Sequence, residues 1–188
     1  GGSGKTPVAL ALGQWFQDHG CNPHFLSRGY GGSLPGPGQG NAECHHCRDT
    51  GDEALLLSRT APTWVSRDRP AGARAAAQAG ANMVIMDDGF QNPSLAKDLS
   101  VLVVDGEYGI GNGRLIPAGP LREKVADAFS RAGAVVVLGS ILAGPKIGML
   151  ALVGLLLAEM ILKISRQPRF YQPHTAPGQF MFGPQIDF

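Results

Sequence analysis

Apolar positions over the first 140 residues follow two alternating rhythms. In residues 5–19, Val8, Leu12, Trp15 and Phe16 fall on one face at helical spacing and Gly20 supplies a stop, which predicts an amphipathic helix. Pro7 fits its first turn, where a missing N–H costs nothing. Residues 24–27, 63–66, 83–86, 99–105 and 134–138 are short apolar runs and predict strands, the last three of them buried. Between them, residues 51–59, 70–79 and 122–131 predict helices. The first of these opens on Asp52 and Glu53, whose charge suits a positive helix end, and the second begins at Pro70 and stops at Gly80. Apolar strands that do not alternate, set between helices, predict a parallel sheet covered on both faces. Glycine and proline crowd residues 29–40, which predicts loop. No repeat is visible at a period of 20–50 residues.

The pattern changes after about residue 139. Residues 147–158 are uncharged and apolar, then Glu159 and Lys163 interrupt. A spanning helix needs about 20 apolar residues, so an apolar helix over about 147–164 is expected to be buried or interfacial. Beyond Arg166 the chain is rich in Pro, Gln and aromatics without periodicity, and no regular structure is expected. The domain reading is therefore a lobe over residues 1–139 and a divergent tail over 140–188.

Composition narrows the function classes. Apolar residues make up 44% of the 188 and charged residues 16%, so a packed core is expected. Net charge is +1, with 12 basic and 13 acidic residues before Ser140, which leaves no basic excess for general nucleic-acid binding. Three cysteines make no disulfide framework and suit a reducing compartment. Cys44-His45-His46-Cys47 has metal-ligating side chains, but four nearly consecutive residues do not wrap tetrahedrally around one ion, so a solvated loop is expected there.

The opening Gly1-Gly2-Ser3-Gly4-Lys5-Thr6 ends like a phosphate-binding loop and leads directly into the first helix. Glycines let main-chain N–H groups turn onto phosphate oxygens, Lys5 suits the β- and γ-phosphates, and the Thr6 hydroxyl suits Mg²⁺. Residue 1 already lies inside this loop, so the chain is expected to be a fragment at its N-terminus. Met83-Val84-Ile85-Met86-Asp87-Asp88 is an apolar strand ending in two carboxylates, the arrangement that holds Mg²⁺ in phosphate-loop enzymes. Asp52 and Glu53 are helix caps or, alternatively, supply a general base near the γ-phosphate. Arg28, Arg67, Arg69, Arg114 and Arg122 recur in loops, as two phosphorylated partners would require.

These motifs occur in an order that resembles the tetraacyldisaccharide 4′-kinase (lipid A 4′-kinase) family over roughly residues 1–139. The run is Gly1-Gly2-Ser3-Gly4-Lys5-Thr6-Pro7, Ser27-Arg28-Gly29-Tyr30-Gly31-Gly32, Gly51-Asp52-Glu53, Arg67-Asp68-Arg69, Asp87-Asp88-Gly89-Phe90-Gln91, Gly111-Asn112-Gly113-Arg114 and Pro117-Ala118-Gly119-Pro120-Leu121-Arg122-Glu123. The resemblance implies a P-loop NTPase-like three-layer α/β/α lobe, with a second C-terminal lobe that here is missing or divergent. It implies ATP- and Mg²⁺-dependent transfer to the 4′-hydroxyl of tetraacyldisaccharide 1-phosphate, in lipid A biosynthesis, at the cytoplasmic face of the bacterial inner membrane. By position, Lys5 would hold the β/γ-phosphates, Thr6, Asp87 and Asp88 the metal, and Asp52 would be the base. Arg122 and Glu123 would line the reaction centre, and Arg28, Arg69, Gln91 and Asn92 would serve the acceptor. Asn92 stands where many members carry His. An alternative is an ATP-binding remnant without catalysis. A third reading, a lipid-independent phosphate-loop ATPase, sits poorly with the Arg28-Gly29-Tyr30-Gly31-Gly32 motif.

Overall fold

The computed structural model describes residues 4–31, 36–40, 51–139 and 185–187. Gly1, Gly2 and Ser3, the Cys44–Cys47 cluster and the apolar run at 147–164 lie outside the described residues. Helix α1 spans Lys5–Asp18 and leads into strand β1, Pro23–Ser27. Strand β2 (Gly38–Gly40), helix α2 (Asp52–Leu57), strand β3 (Thr63–Val65), helix α3 (Arg69–Gln78) and strand β4 (Met83–Met86) follow. Strand β5 (Leu99–Asp105), helix α4 (Val125–Arg131), strand β6 (Ala134–Leu138) and strand β7 (Gln185–Asp187) complete the order.

The seven strands form one sheet in the order β2-β3-β1-β4-β7-β5-β6. Every pairing is parallel except β2 with β3. Side chains of β4 alternate between two separate cores. Met83 and Ile85 join Val8, Leu12 and Phe16 of α1, Leu57 of α2 and Phe25, Val101 and Val103 of the sheet. Val84 and Met86 join Ala73 and Ala76 of α3, Leu26 and Leu95. A strand buried on both faces gains from being apolar at every position, which is why residues 83–86 do not alternate. The expected α/β sandwich with a mainly parallel sheet is thus present.

Four expectations differ in detail. The loop over residues 29–40 ends in a short antiparallel strand, because the free edge of β3 offers N–H and C=O partners that even Gly38-Gln39-Gly40 can meet. The helix expected from residue 122 starts at Val125; Arg122 and Glu123 lie ahead of it and face the site. Strand β6 is at the sheet edge and only Val136 is buried, so it is half-covered rather than fully buried. The tail, expected to be irregular beyond Arg166, contributes β7, which pairs parallel with Val84–Met86 on one side and with Leu99–Ser100 on the other.

Helix α3 shows how local chemistry sets an element. The Asp68 carboxylate accepts a hydrogen bond from the Ala71 N–H at 3.0 Å, Pro70 occupies the first turn, and the Gly80 backbone has φ 94° just past the end. Helix α1 shows the opposite kind of constraint. Gly13 sits mid-helix, and a Cβ there would lie 2.4 Å from Cζ of Phe25, whose ring is fully buried. Alanine at an ordinary mid-helix site gains about 1 kcal/mol over glycine. Here the ring has no room to retreat, so Gly13→Ala is expected to lower stability in urea denaturation despite its better propensity. A midpoint raised above that of the parent would show that α1 can lift off β1 at no cost.

Candidate active site

Parallel strands end together, and the ends of β1 and β4 bring the candidate residues to one edge of the sheet. Strand β1 runs into Arg28-Gly29-Tyr30-Gly31, and β4 runs into Asp87-Asp88. Helix α1 begins there after Gly4, whose φ of 76° suits glycine, and no side chain caps its first turn. The N-terminal amides and the helix dipole make this end receptive to phosphate.

Thr6 ties the two halves of the site together. Its hydroxyl donates to Asp87 Oδ2 at 3.2 Å across 81 residues of sequence. Asp87 is 2% exposed. Burial raises its pKa first, the Glu53 charge and that of Asp88 raise it further, and the Thr6 bond and Lys5 oppose the rise. Asp88 points elsewhere. It is the one described non-glycine residue with positive φ, at 55°. Its Oδ1 meets Lys5 Nζ at 3.8 Å and an Arg122 guanidinium nitrogen at 3.4 Å. The two neighbouring carboxylates therefore serve different places, one buried on Thr6 and one half-exposed among cations.

The other expected residues fall into two groups. Gln91 Nε2 donates to Glu123 Oε1 at 3.0 Å, so these join the cluster, and both line the same cavity as Lys5, Asp88 and Arg122, about 690 Å³ in volume. Asp52 is exposed at the first position of α2, and Glu53 beside it is close enough to influence Asp87. Arg28 lines a second, smaller cavity of about 250 Å³ with Tyr30 and Arg67. Two residues depart from the acceptor role expected of them. Arg69 is 2% exposed, and its guanidinium donates to the main-chain oxygens of Leu26 at 3.1 Å and Asp87 at 3.3 Å. It braces the ends of β1 and β4, because buried strand-end carbonyls without partners are costly. Asn92 closes its own turn, with Oδ1 accepting from the Ser94 N–H and hydroxyl.

Several residues that shape the site were not evident from the sequence. Arg131 contacts Glu123, and Tyr108, Ile110 and Phe129 are among the apolar residues lining the larger cavity while remaining 81%, 44% and 47% exposed. Apolar residues in a glycine-punctuated stretch carry no spacing signal that separates a wall from a core.

The donors suit magnesium. Among the described residues no group of three or more His, Cys, Asp or Glu side chains is placed to hold a metal ion. Mg²⁺ does not need one, since it takes one or two carboxylates and fills its octahedron with phosphate and water oxygens. The Thr6 hydroxyl against a buried carboxylate, with Asp88 next to it, is such a set.

A helix start of Gly4-Lys5-Thr6 docked on an acidic strand end, over a mainly parallel sheet with helices on both faces, defines a P-loop kinase fold. A family model for tetraacyldisaccharide-1-P 4′-kinase, LpxK, matches residues 1–172. The chain belongs to that family. It is 60% identical over 139 residues to the tetraacyldisaccharide 4′-kinase of Rhodospirillum centenum, covering 74% of this chain and 41% of that protein. It is 59% identical over 140 residues to that of Rhodospirillum rubrum, covering 74% and 42%. A crystal structure of the "apo" form of LpxK from Aquifex aeolicus in complex with ATP is similar with a TM-score of 0.62 and 30% identity, over 73% of this chain and 44% of that one. The chain thus spans about two fifths of the length of these relatives.

The raised pKa of Asp87 has a consequence for stability. The folded state holds this proton more tightly than the unfolded state, where the ordinary value is 3.8. Its contribution is therefore complete below that value and is lost as pH rises through the higher folded value. Without nucleotide or metal, Asp87→Asn is expected to melt above the parent at neutral pH, with the gap closing as pH falls towards 3.8. Thermal melts of both proteins across that range check it; a variant that melts below the parent at pH 7 contradicts the burial cost.

Proposed function

We propose that this chain is the nucleotide-binding and catalytic lobe of a tetraacyldisaccharide 4′-kinase, with residues 1–139 as the lobe and 140–188 as its tail. The reaction is transfer of the γ-phosphoryl of ATP to the 4′-hydroxyl of tetraacyldisaccharide 1-phosphate, a step of lipid A biosynthesis at the cytoplasmic leaflet of the inner membrane. The observation that carries this reading is the Thr6–Asp87 hydrogen bond with the Lys5–Asp88 ion pair beside it. Those contacts fasten a phosphate-binding helix start to a strand-end carboxylate, as phosphoryl transfer requires.

In this reading the main-chain N–H groups of Gly1, Gly2, Ser3 and Gly4 and the Lys5 ammonium hold the β- and γ-phosphates. Thr6, Asp87 and Asp88 would hold Mg²⁺, which would supply positive charge against the phosphate oxygens. Asp52, in the first turn of α2, takes the proton of the acceptor hydroxyl. The 4′-oxygen then bonds to the γ-phosphorus while the bond from that phosphorus to the β–γ bridging oxygen breaks, and ADP leaves. Arg122 is half-exposed and reaches Asp88, so its guanidinium is free to swing onto phosphate oxygens. Glu123 and Gln91 form the wall beside it, and Arg28 at the smaller cavity offers a second anion contact. No helix among the described residues is long and apolar enough to cross a membrane.

A second reading is ATP binding without transfer. Two assays on the same protein separate the readings: titration of ATP with Mg²⁺, and detection of the phosphorylated disaccharide. Lys5→Ala is expected to lose binding and transfer together. Asp52→Ala is expected to keep ATP binding and lose transfer by about 100-fold or more. Transfer at the parent rate in Asp52→Ala overturns the base assignment, and binding without any transfer in the parent favours the second reading.

A further inference from the structure

We propose that Arg131 is a positioning residue, whose guanidinium fixes the Glu123 carboxylate so that Glu123 holds the Gln91 side chain at the mouth of the phosphate site. Its consequence for turnover rests on the kinase reading above; the linkage itself does not.

The contacts form a chain with one partner per oxygen. Arg131 meets Glu123 Oε2 at 2.5 Å, and Glu123 Oε1 accepts from Gln91 Nε2 at 3.0 Å. The same guanidinium lies 5.2 Å from the centre of the Phe90 ring. Phe90 is 6% exposed and precedes Gln91 directly, so Arg131 touches that dipeptide twice, once through the ring and once through Glu123. A cation in the last turn of α4 also suits the negative end of the helix.

Position matters more than energy here. An exposed arginine–glutamate pair contributes little to stability. What Arg131 changes is where the carboxylate goes. Glu123 is next in sequence to Arg122, and the cavity it lines also contains Lys5 and Asp88. Released from Arg131, a mobile carboxylate on a three-torsion side chain would be drawn to Lys5 and Arg122, the cations that now pair with Asp88. Held by Arg131, it faces Gln91 and leaves both cations for Asp88 and for phosphate. Adjacent residues thus grip the Asp88–Gln91 segment at both ends, Arg122 at Asp88 and Glu123 at Gln91.

Arg131→Met, Arg131→Lys, Glu123→Ala and the Arg131→Met/Glu123→Ala double variant, each in the full chain, test this. One readout is steady-state transfer with ATP and the disaccharide. The other is the Gln91 side-chain amide pair in a ¹H–¹⁵N spectrum, identified by its loss in Gln91→Glu. In Arg131→Met, kcat is expected to fall roughly 10- to 100-fold with the KM for ATP little changed. Arg131→Lys should recover part of it, and the double variant should be no slower than Glu123→Ala. The Gln91 resonances should move in Arg131→Met towards their position in Glu123→Ala. Resonances that stay in place in Arg131→Met overturn the proposal whatever the turnover, and so does a double variant whose loss is the product of the two single losses. A parent chain that transfers no phosphate, yet shows the Gln91 shift, sinks the kinase reading and supports the linkage.

Discussion

A carboxylate buried at the end of an apolar strand is the constraint on which the rest of this structure depends. Asp87 follows four residues that are themselves fully enclosed, and it is almost as inaccessible as they are. Its side chain has the Thr6 hydroxyl as a neutral partner and Lys5 as a nearby cation. Its main-chain oxygen is taken by Arg69. Thr6 and Lys5 belong to α1 and Arg69 to α3, so the residue at the end of β4 is held from two helices, its side chain by one and its main chain by the other. An isolated buried charge would be intolerable; one with these neighbours is costly but fixed in direction. Fixed direction is what a metal-binding oxygen needs.

The next residue resolves the problem of two like charges side by side. Positive φ at Asp88 turns its side chain out of the line of β4, towards Lys5 and Arg122. A non-glycine residue in that region carries backbone strain, and such strain persists where surrounding contacts over-determine it. The result is a gradient across one sheet edge. Asp87 is buried, with Thr6 as its hydrogen-bond partner and Lys5 nearby, whereas Asp88 pairs directly with Lys5 and Arg122. The two carboxylates thus meet different surroundings at one sheet edge, one buried against a hydroxyl and one half-exposed against two cations.

How much of this the sequence made legible depends on how local each cause is. Helix α1 and the strand before Asp87 were readable because their signals lie within a dozen residues: helical spacing of Val8, Leu12 and Phe16, and an unbroken Met83–Met86 run. The link between Lys5-Thr6 and Asp87-Asp88 was readable because the two motifs support one chemistry. Arg69 was not readable. A loop arginine is ordinarily solvated, and only the folded sheet reveals two strand-end carbonyls around it. Arg131 was hidden for a related reason, since its partners are Glu123 on the lead-in to α4 and Phe90 on another loop. Strands β2 and β7 carry no pattern of their own, because three-residue strands take their structure from the neighbours they pair with.

Folding and ligand binding are consequently tied to one electrostatic defect. The side chains of the site come from the starts of α1 and α2, the end of β4 and the lead-in to α4, and none of these segments has a functional neighbour until the sheet is assembled. Assembly brings the charges of Glu53 and Asp88 close to Asp87, where burial already disfavours negative charge. A cation placed there relieves the same repulsion that the folded chain otherwise tolerates, so binding energy is drawn from strain that folding created. An apolar residue at position 87 would make a quieter sheet and leave Thr6 with nothing to bond. The instability at the end of β4 and the proposed capacity to hold a metal–nucleotide are therefore one property of the fold, because both arise from keeping a charge where water cannot reach it.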